Sequence, residues 1–159
     1  MHIPFFLLAA LIVAADQGVK YLVRANIALG QHVSFLPGVM DLTFVKNTGA
    51  AFSMLEEHTW LLTLLSGVVA VILAVLLARR ILPHWFGQLA LGLLLGGAVG
   101  NFIDRLLLGY VTDMFATAFV NFPVFNVADI AVVVGGVLLC VHVILFMKDE
   151  DKKEGGTCS

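Results

Sequence analysis

This sequence of 159 residues is poor in charge. Lys, Arg, Asp and Glu make up 13% of it, whereas soluble domains carry about 25%. Hydrophobic residues make up 60%, and the mean hydropathy is +1.01. The net charge of −2 leaves no basic footprint for nucleic acid, so no such partner is expected. The composition predicts an integral membrane protein.

The sequence also lacks the residue clusters that hold metals or build disulfide frameworks. Its five histidines are scattered, with no HExxH motif and no Cys/His cluster, so we expect no metal and no other cofactor. Cys140 lies in an apolar run and Cys158 in a polar tail, which predicts two free thiols.

Long apolar runs predict four transmembrane helices, at about residues 3–23, 61–78, 86–105 and 125–147. Within the third run, the spacing of Gly92, Gly96 and Gly100 is typical of close helix packing. We expect one membrane domain over 1–147 and a disordered tail over 148–159.

The topology follows from the flanking charges. Four spans put both termini on one side, and the acid-free pair Arg79-Arg80 favours the cytoplasm for that side. Val13-Ala14-Ala15 resembles a signal-peptide cleavage site, but no Lys or Arg precedes the first apolar run. We therefore favour a retained helix and an intact N-terminus.

Residues 30–55 are more polar and predict a small β-sheet outside the membrane. Residues 39–45 alternate and are rich in β-forming side chains, as in a strand. Lys46-Asn47-Thr48-Gly49 predicts a turn, and residues 50–53 a returning strand. The predicted fold is thus an all-α membrane bundle with a small extracytoplasmic β element.

Two carboxylates, Asp113 and Asp129, bracket a stretch without Lys or Arg, and residues 115–125 carry no charge. An ionised carboxylate beside lipid is costly, so it needs a partner or a task. Two carboxylates that share a site split their pKa values, which suits one as acid and the other as base. We expect Asp113 on an apolar loop and Asp129 in the first turns of the fourth span.

Other polar residues fall at the same predicted membrane level. Asp16 and Lys20, four residues apart, predict either an ion pair at the interface or an Asp16 side chain that faces a cavity. Asn101, Asp104 and Arg105 share one helix face, which fits a helix cap or a cavity-lining cluster. Asn47 and Asn126 flank the same region.

Five motifs in order carry a resemblance to a known family. They are Asp16-Gln17-x-x-Lys20, Asn47-Thr48-Gly49-Ala50-Ala51-Phe52-Ser53, Gly96-Gly97-Ala98-x-Gly100-Asn101-x-x-Asp104-Arg105, Val111-x-Asp113-Met114 and Phe125-Asn126-x-Ala128-Asp129. From Asp16 onward the chain resembles the lipoprotein signal peptidases, the bacterial signal peptidase II family. Lys46, Thr112 and Met114 vary the edges of the motifs without touching the two aspartates.

The resemblance implies an intramembrane aspartyl endopeptidase of the bacterial inner or cytoplasmic membrane, with its site near the outer face. It implies cleavage of prolipoproteins before a diacylglyceryl-modified cysteine, and inhibition by globomycin-type antibiotics. Asp113 and Asp129 match the catalytic pair. Positions matching the substrate-binding residues are Asp16, Asn47, Asn101, Arg105 and Asn126. Supporting positions are Lys20, Gly49, Asp104 and Ala128. Membrane lipids are expected as further partners. The protein is expected to be a monomer.

Two other functions are compatible with parts of the sequence. A serine/lysine protease would use Ser53 with Lys20 or Lys46 as base. A proton or ion pathway would use the intramembrane Asp and Arg residues, but it predicts charges throughout the membrane depth. The second and third spans are apolar until their ends, which disfavours the pathway.

Overall fold

The computed structural model describes residues 3–49 and 59–147. Four of its helices are long and apolar enough to cross a membrane. A three-stranded antiparallel sheet lies at one end of the helices. The predicted strand over 50–53, Ser53 and the tail over 148–159 lie outside the described residues.

The helices confirm the predicted spans and extend most of them by a few residues. In chain order they are α1 (Ile3–Asn26), α2 (Thr59–Arg79), α3 (Trp85–Leu108) and α4 (Val127–His142), and a π-helical turn (Val143–Met147) prolongs α4. α1, α2 and α4 carry many exposed apolar side chains, as expected for surfaces that contact lipid. α3 is the most buried of the four and contacts the other three helices.

The glycines of α3 allow this close packing. A Cβ atom at Gly96 would lie 3.0 Å from the Ala9 carbonyl of α1, and one at Gly97 would lie 2.5 Å from the Ala128 carbonyl of α4. Neither carbonyl group can move aside to make room for a side chain, because each belongs to a helix backbone. The predicted glycine stripe is therefore confirmed as a contact surface for α1, and Gly97, which lies outside the stripe, allows the close contact with α4.

The sheet is larger than predicted. Its strands are β1 (His32–Leu36), β2 (Met40–Asn47) and β3 (Val111–Thr117), in the order β1-β2-β3. Pro37 and Gly38, with φ of 73° at Gly38, form the tight turn between β1 and β2, where Val39 N–H donates to the Leu36 carbonyl at 2.9 Å. Of the three strands, the sequence predicts only β2. The turn predicted over residues 46–49 is wrong in its first half, because β2 continues through Asn47.

β3 also corrects the expectation that Asp113 lies on a loop. Val111–Thr117 pairs antiparallel with β2, with Asp113 opposite Val45. On its other side, Met114 and Phe115 N–H groups donate to the Phe125 carbonyl at 3.0 and 2.8 Å. Segment 118–125 thus folds back onto β3. This backbone pairing brings the start of α4 beside Asp113.

Candidate active site

Asp129 lies in the first turn of α4 and takes part in that helix's cap. Asn126 is the N-cap residue: its side chain accepts a hydrogen bond from Asp129 N–H at 2.9 Å, and Asp129 Oδ2 accepts from Asn126 N–H at 3.1 Å. This reciprocal pair is a capping box. It satisfies two N–H groups that the helix leaves free and fixes the Asp129 carboxyl at the helix N-terminus.

Three asparagine amides hold the two aspartates together. Asp113 Oδ1 accepts from Asn126 Nδ2 at 2.6 Å, and its Oδ2 accepts from Asn47 Nδ2 at 2.9 Å. Asp129 Oδ1 accepts from Asn101 Nδ2 at 2.8 Å. Each carboxyl oxygen of the pair therefore has an N–H donor. Asn126 contacts Asp113 through its side chain and Asp129 through its backbone, so it joins β3 to α4 at the site.

The two aspartates differ in their exposure. Asp113 is buried, whereas Asp129 is half-buried. The pKa of Asp113 is raised from 3.8 to about 6. Burial is the largest cause of this rise, the Asn47 hydrogen bond opposes it, and the nearby Asp129 charge adds to it. Asp113 is therefore half protonated near pH 6, where an ordinary carboxyl is ionised, and its protonated form can serve as an acid in hydrolysis.

A cavity of about 660 Å³ opens beside both aspartates, and its walls are largely apolar. Asn47, Asn101, Arg105, Asp113 and Asp129 supply its polar groups. The apolar part comes from Phe122 and Phe125 and from three consecutive valines of α4, Val132, Val133 and Val134. A site of this kind can hold a substrate with a polar reacting bond and an apolar extension.

Arg105 reaches the cavity from the last turn of α3 and makes two long hydrogen bonds. Its guanidinium donates to Ser66 Oγ and to the Gly49 carbonyl, both at 3.4 Å. Among the described residues it makes no salt bridge with an acid. Gly49 N–H in turn donates to Asn47 Oδ1 at 3.1 Å. Arg105 is thus a cation beside two carboxylates with hydrogen-bonding capacity left for a ligand.

One interpretation of the sequence predicts that the Asp16 side chain faces a cavity, and the structure does not place it there. It is fully buried behind the aspartate pair, paired with Lys20 at 2.8 Å, and does not line the cavity. The other interpretation, an i,i+4 ion pair, is confirmed, and the pair is fully buried within the protein. Asn126 is also fully buried, and it contacts the site only through the aspartates and Asn101.

The remaining expected residues surround Asp16. Lys20 also contacts Asp104 at 3.3 Å, Asp104 accepts from Thr112 N–H at 2.8 Å, and Ala128 N–H donates to Asp16 at 2.9 Å. These positions are all almost fully buried. They lie outside the cavity lining, and the supporting role that the resemblance implies for Lys20, Asp104 and Ala128 stays a prediction.

Sequence reasoning assigned no role to two polar residues of α1. Gln17 Nε2 lies within 3.2 Å of oxygens of Asp16, Gly100 and Asp104, and Arg24 donates to Thr112 Oγ1 at 2.9 Å. The signal was present: Lys20 and Arg24 follow Asp16 at intervals of four residues and share one face of α1.

Within residues 3–49 and 59–147, no group of three or more His, Cys, Asp or Glu side chains is arranged to hold a metal ion. The two aspartates and their amide partners use their oxygens for hydrogen bonds with N–H donors. What this arrangement offers chemically is a pair of carboxyls, one of them protonatable near neutral pH, beside a cation and an apolar cavity.

The chain is similar to known proteins both in sequence and in structure. A family model described as signal peptidase (SPase) II matches residues 8–145. The lipoprotein signal peptidase of Enterococcus faecalis is 42% identical over 153 residues, covering 96% of this chain and 94% of that protein. The Streptococcus pyogenes serotype M5 protein of the same name is 44% identical over 149 residues, covering 92% and 95%.

The fold is also similar to those of solved structures. A bacterial membrane enzyme determined by the in meso method at 2.3 Å resolution superposes with a TM-score of 0.83 at 30% identity, covering 94% of this chain and 91% of that one. A second, at 1.9 Å resolution, gives a TM-score of 0.82 at 29% identity and covers 90% and 94%.

Proposed function

The chain belongs to the signal peptidase II family, and from this premise we propose that it cleaves diacylglyceryl-modified prolipoproteins before the lipidated cysteine, using Asp113 and Asp129. The observation that carries the proposal is the shared hydrogen-bond network of the two aspartates. Asn126 holds both of them, and both line one cavity.

In the proposed reaction, Asp113 begins protonated and Asp129 begins ionised. Asp129 removes a proton from a water molecule, whose oxygen attacks the scissile carbonyl carbon. Asp113 gives its proton to the carbonyl oxygen, which produces a tetrahedral diol. The C–N bond then breaks as the protonated Asp129 donates to the leaving nitrogen, and Asp113 recovers a proton from the diol. The pair thus ends as it began.

The raised pKa of Asp113 supports this assignment of the starting protons. The capping box supports the assignment for Asp129, because an N–H donor and a helix N-terminus stabilise a negative charge. Sequence alone left the choice between them open.

The cavity's apolar wall supports a lipidated substrate. Val132, Val133 and Val134 follow Asp129 along α4, so acyl chains lying there would run beside the helix, away from the two carboxyls. Each buried CH₂ contributes about 0.8 kcal/mol, so two acyl chains give ample binding energy for positioning. Arg105 would hold the peptide backbone or the head-group oxygens.

We further propose that the protein spans the bacterial inner or cytoplasmic membrane with both termini in the cytoplasm, and that residues 1–147 form one protease domain that acts as a monomer. The sheet and the site would then lie at the outer face. Cysteine labelling at His84→Cys from the inside, and at Ser34→Cys from the outside, tests this in a background without Cys140 and Cys158. The opposite pattern would overturn the topology.

The decisive experiment is incubation of the detergent-purified protein with a diacylglyceryl-modified prolipoprotein, followed by mass analysis of the products. We expect one cut before the modified cysteine, no cut by Asp113→Asn or Asp129→Asn, and inhibition by a globomycin-type antibiotic. Asp41→Asn is the matched control, since Asp41 lies on β2 away from the cavity. Substantial turnover by either active-site variant would rule out the aspartate pair.

The serine/lysine alternative is disfavoured for Lys20, whose amine is enclosed by Asp16, Asp104 and Asn101. Lys46 lies at the cavity, over the Tyr110 ring at 4.9 Å, and it keeps the alternative testable. Ser53→Ala with full activity would remove it. Among the described residues, α2 carries no charge before Arg79, so nothing there supports an ion pathway across the membrane.

A further inference from the structure

A buried ionic cluster of Asp16, Lys20 and Asp104 lies behind the two active-site aspartates. All three side chains are at most 1% exposed, and none lines the cavity. Buried ion pairs often stabilise a fold no better than apolar residues of similar size. Stability is therefore a weak reason for three charges here, and their contacts point to another one.

The first contact leads to Asp129. Asp16 Oδ1 accepts from the N–H of Ala128, the residue immediately before Asp129, at 2.9 Å. Gly100 leaves the room for it, because a Cβ atom there would lie 2.7 Å from Asp16 Oδ2. Asp16 thus fixes the peptide unit from which the first turn of α4, with Asp129, begins.

The second contact repeats the first on the other aspartate. Asp104 Oδ2 accepts from the N–H of Thr112, the residue immediately before Asp113, at 2.8 Å. Lys20 Nζ contacts both buried carboxylates, Asp16 at 2.8 Å and Asp104 at 3.3 Å. One amine therefore joins the two backbone segments that carry the active-site pair.

The third contact orients a side chain. Asn101 Oδ1 accepts from Lys20 Nζ at 2.9 Å and from Asn126 Nδ2 at 3.2 Å. Both neighbours are donors, so the amide oxygen must face them, and its nitrogen must face Asp129, 2.8 Å away. Lys20 thereby decides which end of Asn101 meets the carboxylate.

We propose that Lys20 is a positioning residue that holds the Asp113 and Asp129 carboxyls in one fixed arrangement, through the two buried carboxylates and the amide just described. The inference rests on the proposed peptidase reaction. That reaction needs the two carboxyls at one fixed separation around a water molecule, and a misplacement of about 1 Å can reduce the rate roughly a hundredfold.

The test replaces Lys20 while keeping the cluster's net charge. Lys20→Met alone would leave two buried carboxylates unpaired and is expected to unfold the protein. Lys20→Met/Asp16→Asn removes one charge of each sign, and the Asn oxygen can still accept from Ala128. We expect kcat per folded protein to fall at least tenfold, KM to stay within twofold, and the pH profile of kcat/KM to shift. A second variant, Asp16→Asn alone, should lose a smaller factor in kcat.

Gln88→Met provides a control of matched kind. Gln88 is also buried and polar, donates to the Leu82 carbonyl at 2.6 Å, and lies about 20 Å along α3 from Asn101. This variant should be less stable but keep the parental kcat and pH profile. A purely structural role for Lys20 predicts the same behaviour from the double variant.

The two proposals fail differently. Parental kcat and pH profile in the folded double variant, or in folded Asp16→Asn, with an inactive Asp113→Asn, would overturn the positioning role and leave the aspartate pair in place. Activity in Asp113→Asn would overturn the aspartate pair and the positioning role together.

Discussion

Protonation of Asp113 should make the folded protein more stable at acidic pH than at neutral pH. Its pKa is about 6 in the folded state and 3.8 unfolded. Because the folded value is the higher one, the stabilising effect is complete below pH 3.8 and is lost as the pH rises through 6. The difference of about 2.2 units corresponds to about 3 kcal/mol, and roughly half of that is lost between pH 5 and pH 7.

Thermal unfolding in detergent measures this effect. For a chain of this size, each kcal/mol shifts the unfolding midpoint by about 2–4 °C. Between pH 5 and pH 7 the parent should therefore lose about 3–5 °C more than Asp113→Asn, which cannot titrate at this position. Carboxyls remote from the site contribute equally to both proteins, so the difference reports Asp113 together with its interaction with Asp129. Asp41→Asn should follow the parent.

Parallel pH curves for the parent and Asp113→Asn would refute this reasoning. They would mean that Asp113 is ionised in the folded protein as readily as in the unfolded chain, and so is not the group that starts the reaction protonated. A steeper loss in Asp113→Asn than in the parent would contradict the sign of the effect. Comparing slopes avoids dependence on the absolute stability of the variant, whose amide replaces one hydrogen-bond acceptor with a donor.

Three further predictions concern activity and packing. Arg105→Ala should lower kcat/KM roughly 10- to 150-fold, the value of a charge-assisted hydrogen bond, with little change in the unfolding midpoint; unchanged kinetics would favour a helix-cap role. A prolipoprotein without its diacylglyceryl group should be cleaved poorly even at saturation, and equal turnover of both substrates would show that the lipid does not position the bond. Gly135→Ala places a Cβ atom 3.0 Å from the Ala90 carbonyl and should destabilise by about 1–3 kcal/mol, whereas Gly136→Ala meets nothing within 4 Å and should not; equal midpoints for the two variants would contradict the α3–α4 packing.

The helices were predictable because each signal is local. A run of about 20 apolar residues has few alternatives to a membrane span. Once the third run is helical, glycines four residues apart lie on one helix face and form a surface for close packing. The pairing of Asp113 with Asp129 was also expected, because two isolated carboxylates fell at one membrane level. These inferences did not require knowledge of which segments are neighbours.

β3 and the ionic cluster could not be predicted in this way. The apolar composition of residues 114–122 also suits a loop that contacts lipid. Residues 114–117 form a strand because they pair with β2 on one side and with Phe125 on the other. Asp16 and Lys20 were visible as neighbours on one helix turn. Their partners on α3 and at the start of α4 depend on tertiary contacts between residues more than 80 positions apart.

The capping box of α4 has a consequence for how the protein is made. A ribosome delivers α1, the sheet strands, α2 and α3 before α4, and N-terminal segments can settle first. Asp129 and the Asn126 amide that holds Asp113 arrive together, as the last helix begins. Until that helix has formed and packed against the Gly97 face of α3, nothing holds Asp129 beside Asp113. On the proposed mechanism, a chain that ends before α4 would therefore lack peptidase activity.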